Sequence, residues 1–121
     1  MSEQALREAF DTVATTAGVH GSALVEVASG MVWMHAGGVK DLPILAEAVS
    51  NYWRMSKRLA GSLQDLGALR AGVMMHAHGR ITMLPCGNDL ILLAVTDQNP
   101  KIDWAHWQRQ SRMLARLVDR F

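Results

Sequence analysis

Two histidines and one cysteine in the second half of the chain have side chains of the kind that bind metal ions. His76 and His78 are separated by one residue, which places two imidazoles on the same face of a strand, and Cys86 falls in the next predicted strand. A catalytic zinc needs at least three protein ligands, and the sequence fixes no carboxylate or further histidine beside these residues. A metal- or ligand-sensing domain that uses His76, His78 and Cys86 is therefore an alternative hypothesis, and we assign no metal ligand.

Other sequence signatures of catalysis are not found. Gly61, Gly67 and Gly72 do not have the spacing of a nucleotide-binding fingerprint, and no Gly-Lys-Ser/Thr sequence follows a predicted strand. Cys86 precedes a turn glycine and has no helix N-terminus beside it that would favour the thiolate. We predict a protein without catalytic residues, enzymatic activity or a bound cofactor, whose function depends on its partners.

Length and composition limit the class of protein. A chain of 121 residues suits one domain, which we place at residues 1–121, and the high hydrophobic content of 50% favours an oligomer. A net charge of +1 gives no electrostatic support for nucleic-acid binding. The polar N-terminus is unlike a signal peptide, and no run approaches the roughly 18 apolar residues of a membrane span. With a single cysteine, these features predict a cytoplasmic domain with no membrane span and no nucleic-acid partner.

Three short strands separated by two tight turns are predicted between residues 69 and 96. The runs 69–77, 80–86 and 90–96 are rich in apolar residues and stop at Gly, Asn or Asp. The third run is apolar on both faces, so we expect it to be a central strand that helices cover on both sides. Gly72 and Pro85 suit strand ends or a sheet edge.

Helices and a further hairpin complete the predicted order. In the hairpin, which turns at Gly30, Trp33 and His35 fall on the same strand face, and we expect them to pack together under a helix. The predicted elements are a helix over 3–17, strands over 21–27 and 31–36, a long helix over 42–66, and a last helix from 103 to about 120.

The long helix has Asp41 as its predicted N-cap and Pro43 in its first turn. Its apolar stripe is flanked by Trp53 and Met55, so the hydrophobic surface is wider than burial on one sheet requires. Two interpretations are open: a partner interface, or a wide buried face along which basic side chains lay their stems. The stripe consists of Leu45, Val49, Tyr52, Leu59 and Leu63, and the basic residues beside it are Arg54, Lys57 and Arg58.

The last helix carries four arginines at spacings of three and four residues. A line of this kind is usually a solvated face, and cations near a helix C-terminus interact favourably with the helix dipole. Trp104 and Trp107, one turn apart in the same helix, are expected to pack on the sheet. The arginines are Arg109, Arg112, Arg116 and Arg120.

The order of the elements and three stretches of sequence resemble the roadblock / dynein light-chain-seven family. The similarity runs from about residue 5 to 118, and its most specific part is the Pro-x-Gly-x-Asp junction before the last strand. The stretches are 21–25 leading to Gly30, the helical segment 45–63, and Leu84-Pro85-Cys86-Gly87-Asn88-Asp89 before the apolar run 90–95.

The resemblance implies an α+β fold, a roadblock (profilin-like) α-β-β-α-β-β-β-α sandwich with a five-stranded, mostly antiparallel sheet. The long helix should cover one face of the sheet and the terminal helices the other. Family members typically dimerise by pairing the strand after the long helix with its copy, which lays the two long helices antiparallel. The implied homodimer interface consists of Gly72, Val73, Met74, Met75, His76, Tyr52 and Ser56.

The resemblance also implies a function without chemistry. Family members are partners of Ras-like small GTPases, motor light chains or scaffolds, and bacterial members are often associated with a small GTPase and its regulation. We therefore predict a dimeric regulator or scaffold that binds a small GTPase through Trp53, Arg54, Lys57 and Arg58. The alternative is a structural, light-chain-like interaction subunit whose binding does not depend on GTP.

Overall fold

Helices and strands follow one another in the predicted order in a computed structural model that describes residues 3–120. Within that range, no helix combines the length and the apolar character needed to cross a membrane. The elements are α1 (Glu3–Ala14), β1 (Val19–Glu26), β2 (Val32–Gly37), α2 (Leu42–Arg58), a 3-10 segment (Ala60–Leu66), β3 (Gly72–His76), β4 (Gly79–Pro85), β5 (Leu90–Thr96) and α3 (Trp104–Asp119).

The five strands form one antiparallel sheet in the order β2-β1-β5-β4-β3. β5 lies at the centre, between β1 and β4, and six of its seven residues are buried. The predicted central strand is thus confirmed, and its apolar residues on both faces explain why the sheet needs a helical layer on each side. β3 lies at one edge and has β4 as its neighbour within the chain.

Two hydrophobic cores lie on opposite faces of the sheet. On one face, α1 and α3 pack over β1 and β5, with Phe10, Trp107 and Leu92 almost fully buried. On the other face, α2 buries Val49 and Trp53 against the sheet. The predicted sandwich, with the long helix on one face and the terminal helices on the other, is confirmed.

The long helix is shorter than predicted. α2 ends at Arg58, and the Leu59 N–H donates to both the Met55 and the Ser56 carbonyl oxygens, at 3.1 and 3.2 Å. This shared bond tightens the chain into the 3-10 segment, in which Gly61 also disfavours an α-helix. None of the segment's residues is buried. Leu63, which we expected on the buried stripe, is therefore exposed.

The two predicted N-caps behave differently. Asp103 caps α3 as expected, because its Oδ1 accepts a hydrogen bond from the His106 N–H at 3.0 Å. Asp41 precedes α2, but it has a left-handed backbone with φ of 56° and makes no capping bond with its side chain. Its carbonyl oxygen instead accepts the N–H groups of Ile44 and Leu45, both at 3.1 Å.

The expectation that Trp33 and His35 pack under a helix is wrong, because both side chains are exposed. The pairing of β1 with β2 shifts from Leu24 opposite Met34 to Val25 opposite Val32, so Trp33 is the extra residue of a β-bulge. The bulge lies on an edge strand. The alternating sequence pattern of a strand does not predict this bulge. The bulge changes which side chains of β2 reach the core.

Alanine substitutions at three glycines distinguish the cost of backbone strain from the cost of a steric clash. Gly87→Ala is expected to lower the free energy of unfolding by about 2 kcal/mol or more, because φ is +79° and a Cβ would lie 2.7 Å from Val118 Cγ1. Gly67→Ala should cost about 1 kcal/mol, since φ is +82° but nothing lies within 4 Å. Gly61→Ala meets neither obstacle and should change little. Urea unfolding at one protomer concentration measures all three, and equal costs for Gly87→Ala and Gly67→Ala would contradict the role of Val118.

Candidate partner-binding surface

α2 has two apolar stripes, of which the sheet covers one. The buried stripe contains Val49 and Trp53. The second stripe repeats at intervals of four, three and four residues on the far side of the helix, and it is exposed. We call it the outer stripe; it consists of Ala48, Tyr52, Met55 and Leu59, with exposed fractions of 47%, 44% and 50% for the last three.

Exposed apolar side chains continue beyond α2 to the edge of the sheet. Of the twelve large hydrophobic residues exposed within residues 3–120, nine lie between Ile44 and Met75. Such a concentration is typical of an interaction surface, whereas single exposed apolar residues are normal. Outside the outer stripe the nine include Ile44, Leu63, Leu66, Leu69, Val73 and Met75.

The sheet has two edge strands, β2 and β3, and five of the predicted interface residues lie on β3. Met74 pairs with Ile81 and packs in the core under α2, so Val73 and Met75 point to the other face, where both are exposed. A Cβ at Gly72 would lie 2.6 Å from Met83 Cε, so a side chain there would require the end of the Met83 side chain to move. His76, the last residue of β3, is exposed.

The other two predicted interface residues lie on α2. Tyr52 is part of the outer stripe, and Ser56, one turn further on, is half-buried along the same side of the helix. The structure therefore places the seven predicted residues in two groups, one on α2 and one on the edge strand.

The structure removes Trp53 from the predicted partner-contact residues. Its side chain is 5% exposed and packs in the core between α2 and the sheet. Trp53 flanks the apolar stripe in sequence, but on the helix it lies directly after Val49 along the buried line. Its role is to pack α2 on the sheet, and it is not accessible to a partner.

Arg54 is held by contacts within the chain. Its guanidinium donates hydrogen bonds to the carbonyl oxygens of Val27 and Ala28, the latter at 3.3 Å, and to the side chains of Ser50 and Asn51. These bonds attach α2 to the turn between β1 and β2. We predicted Arg54 as a contact residue, but this network gives its charge a structural role and leaves it half-buried.

Lys57 and Arg58 are exposed in the last turn of α2. Lys57 lies at the rim of an apolar cavity of about 290 Å³ that Trp53 and Leu69 help to line. Arg58 borders a shallow groove together with Tyr52 and Met55 of the outer stripe. Both charges also suit the helix C-terminus electrostatically. They are the two predicted contact residues that remain accessible.

The alternative metal site is wrong as proposed. His76 pairs with Gly79 at one end of β4, whereas Cys86 follows the other end, so the thiol lies roughly 20 Å along the sheet from the histidines. Cys86 is buried beside Leu90 in the core under α1 and α3. Within residues 3–120, no three His, Cys, Asp or Glu side chains lie close enough together to hold a metal ion.

Burial, and secondarily the negative charge of Asp119, raises the pKa of the Cys86 thiol to about 12 from an ordinary value of 9.0. The folded state keeps a proton that the unfolded state loses above pH 9, so this contribution to stability is complete below that pH and is lost as pH rises to about 12. The raised pKa also argues against a thiolate nucleophile.

We expect wild-type protein to lose more stability than Cys86→Ala between pH 9 and pH 11, by up to about 1.4 kcal/mol per pH unit. Urea unfolding at several pH values measures the difference. Around pH 8, the reference, the free energy of unfolding should change with pH by the same amount in the two proteins. Parallel pH profiles for the two proteins would contradict the raised pKa.

No protein-family model and no curated protein matches the sequence significantly. Solved structures do match its fold. The gliding protein MglB from Thermus thermophilus superposes with a TM-score of 0.81 at 19% identity, over 98% of this chain and 91% of that one. A structure described as MglB with tetrameric arrangement gives 0.80 at 19% identity, over 97% and 90%. A Roadblock/LC7 domain from Streptomyces avermitilis gives 0.73 at 16% identity, over 89% of each chain. This chain therefore has the roadblock/LC7 fold, as the resemblance of its turns and strand order predicted.

Proposed function

We propose that this protein is a non-enzymatic, homodimeric regulator or scaffold that binds a Ras-like small GTPase. The observation that carries the proposal is the exposed apolar surface of the outer stripe and the segment leading to β3, next to an unpaired sheet edge. The roadblock fold and the matching MglB structures support a role in protein interaction.

Self-association explains both unusual features of this surface. An edge strand presents a row of N–H and C=O groups that a second strand can pair, and β3 carries exposed Val73 and Met75 without a charged residue between them. The outer stripe has the spacing of a helix-packing face, which needs a second helix to cover it. Pairing β3 with its copy would bring two outer stripes together, as the family resemblance implies.

A charge in the outer stripe should separate the dimer. We expect Met55→Glu to shift the protein from dimer to monomer at concentrations of about 10 μM, because a carboxylate buried in an apolar interface would lose its hydration. Met113→Glu is the matched control, since Met113 is also an exposed methionine, 54% against 44% exposed, but lies on α3. Sedimentation velocity measures both. A monomeric wild type, or equal dissociation of the two variants, would contradict the proposal.

The GTPase contact is assigned to Lys57 and Arg58, the accessible basic residues of the predicted set. They lie at the C-terminal end of α2, one beside the apolar cavity and the other beside the outer stripe. Two cations next to apolar surface suit a partner whose contact region combines acidic and apolar side chains. In a dimer the site would occur twice.

Charge reversal tests this contact directly. Lys57→Glu with Arg58→Glu should weaken binding to a purified Ras-like small GTPase from the same organism by about tenfold or more, and wild-type binding should depend on whether the GTPase holds a GTP analogue or GDP. Calorimetric titration with both nucleotide states measures the affinities. The matched control is Lys40→Glu with Lys101→Glu, which makes the same change of net charge at two exposed residues outside both proposed surfaces.

Binding that ignores the nucleotide would favour the second candidate, a structural light-chain-like subunit. The same surface would serve it, because the outer stripe and the β3 edge carry no feature that reads a nucleotide state. Unchanged affinity in the Lys57→Glu, Arg58→Glu protein would exclude the contact residues proposed for the first candidate.

A further inference from the structure

We infer that the exposed face of α3 docks an acidic amphipathic segment of a partner protein. This surface lies on the face of the sheet opposite α2, so it is separate from the outer stripe and from Lys57 and Arg58, although Val73 and Met75 of β3 point to the same face. We call it the α3 arginine face; it consists of Arg109, Arg112, Met113, Arg116 and Arg120.

The four arginines are all exposed and lie on one side of the helix. At 100° per residue they fall within about 80° of its circumference and extend over roughly 16 Å of its axis. Arg70, which precedes β3, extends the charge sideways, because it lines a shallow pocket together with Arg112 and Leu84. The result is a strip of positive charge about as long as three helical turns.

Within residues 3–120, no ion pair neutralises this strip. The ion pairs of that range are Arg7 with Asp11 and His20 with Asp97, and neither involves an α3 arginine. Asp119, in the same helix, reduces the positive charge of the strip, and its Oδ1 accepts the Asn88 N–H at 3.2 Å.

Arg80 provides a contrast within the same layer. It stacks on the Trp104 ring at 4.7 Å from the centroid, and its Nε donates to Thr82 Oγ1 at 3.0 Å. An arginine with a structural role in this protein is therefore engaged by its neighbours, and the arginines of the α3 arginine face are not engaged in this way.

An apolar groove runs beside the arginines, between α3 and α1. Ala9 of α1 and Leu117 of α3 help to line it, and Arg116 and Arg120 stand at its margin. Its volume of about 360 Å³ is enough for a large apolar side chain, and Met113, 54% exposed, adds apolar surface at the centre of the face. Carboxylates on either side of a leucine or phenylalanine would complement this arrangement.

The charge of α1 favours a narrow partner over a broad polyanion. Glu3 and Glu8 are exposed on α1, while Asp11 is half-buried and pairs with Arg7, so the helix keeps a net negative charge. Packed helices lie about 8–10 Å apart, close to the Debye length at physiological salt, so an anionic bilayer or a nucleic-acid duplex on α3 would also meet these carboxylates. A single segment lying along α3, with one apolar side chain in the groove, would approach α1 at Ala9 and Thr12, which are uncharged.

The test uses a synthetic helical peptide of about 15 residues with leucines at positions i, i+3 and i+7 and glutamates on both flanks. Fluorescence anisotropy at about 50 mM salt should detect binding to wild-type protein, and Arg112→Glu with Arg116→Glu should weaken it about tenfold or more. Lys57→Glu with Arg58→Glu makes the same change of net charge on α2 and should stay within about twofold of wild type. Circular dichroism confirms that each variant is folded.

Three results would overturn the inference. Equal losses in the two double variants would mean that net charge alone attracts the peptide. Equal affinity for a peptide of scrambled sequence would mean that the apolar groove does not recognise the spacing of the leucines. Tighter binding to phosphatidylserine vesicles or to a DNA duplex would identify a different class of partner. Because the GTPase contact is tested by the α2 variant and this one by the α3 variant, either proposal can fail without the other.

Discussion

The strand at the centre of the sheet is the constraint on which the rest of the structure depends. β5 places Ile91 and Leu93 on the α2 face and Leu90, Leu92 and Ala94 on the other face, and it has no polar side to turn to water. Both faces of the sheet must therefore be covered. The chain supplies the two layers from different parts of its sequence, with α2 between the two hairpin-like units and the terminal helices paired on the far side.

The helices cover the centre of the sheet, but they leave apolar surface and an edge strand exposed at its side. α2 packs one apolar stripe on the sheet and keeps a second one exposed, and the chain then passes through an exposed 3-10 segment to an unpaired edge strand. A monomer that exposes these apolar side chains beside a sheet edge would be prone to association. The proposed dimer would pair the β3 edge and cover the outer stripe at the same time.

Several residues that suggest chemistry in the sequence serve the fold instead. Trp53 fills the core under α2, the Arg54 guanidinium binds carbonyl oxygens of the β1–β2 turn, and Cys86 is buried with a raised pKa. The side chains that stay accessible are of another kind: Lys57 and Arg58 on one helix, and a line of exposed arginines on α3. The described residues thus expose positive charge beside apolar side chains on two opposite surfaces.

The sequence by itself determined the order of the elements and the central position of the 90–96 run. These follow from local patterns, because a run that is apolar on both faces has one stable environment and turn glycines stand where the backbone requires them. The edge position of the strand after the long helix was implied by the resemblance to the roadblock family. Tertiary structure decided what local patterns do not encode. The bulge at Trp33 depends on how β2 pairs with β1, the end of α2 at Arg58 on a shared hydrogen bond, and the burial of Trp53 on which stripe meets the sheet. The helical period places Leu45, Val49, Tyr52 and Leu59 on one apolar stripe of the long helix. The position of the sheet divides that stripe, because Leu45 and Val49 pack in the core while Tyr52 and Leu59 stay on the surface that a partner can reach.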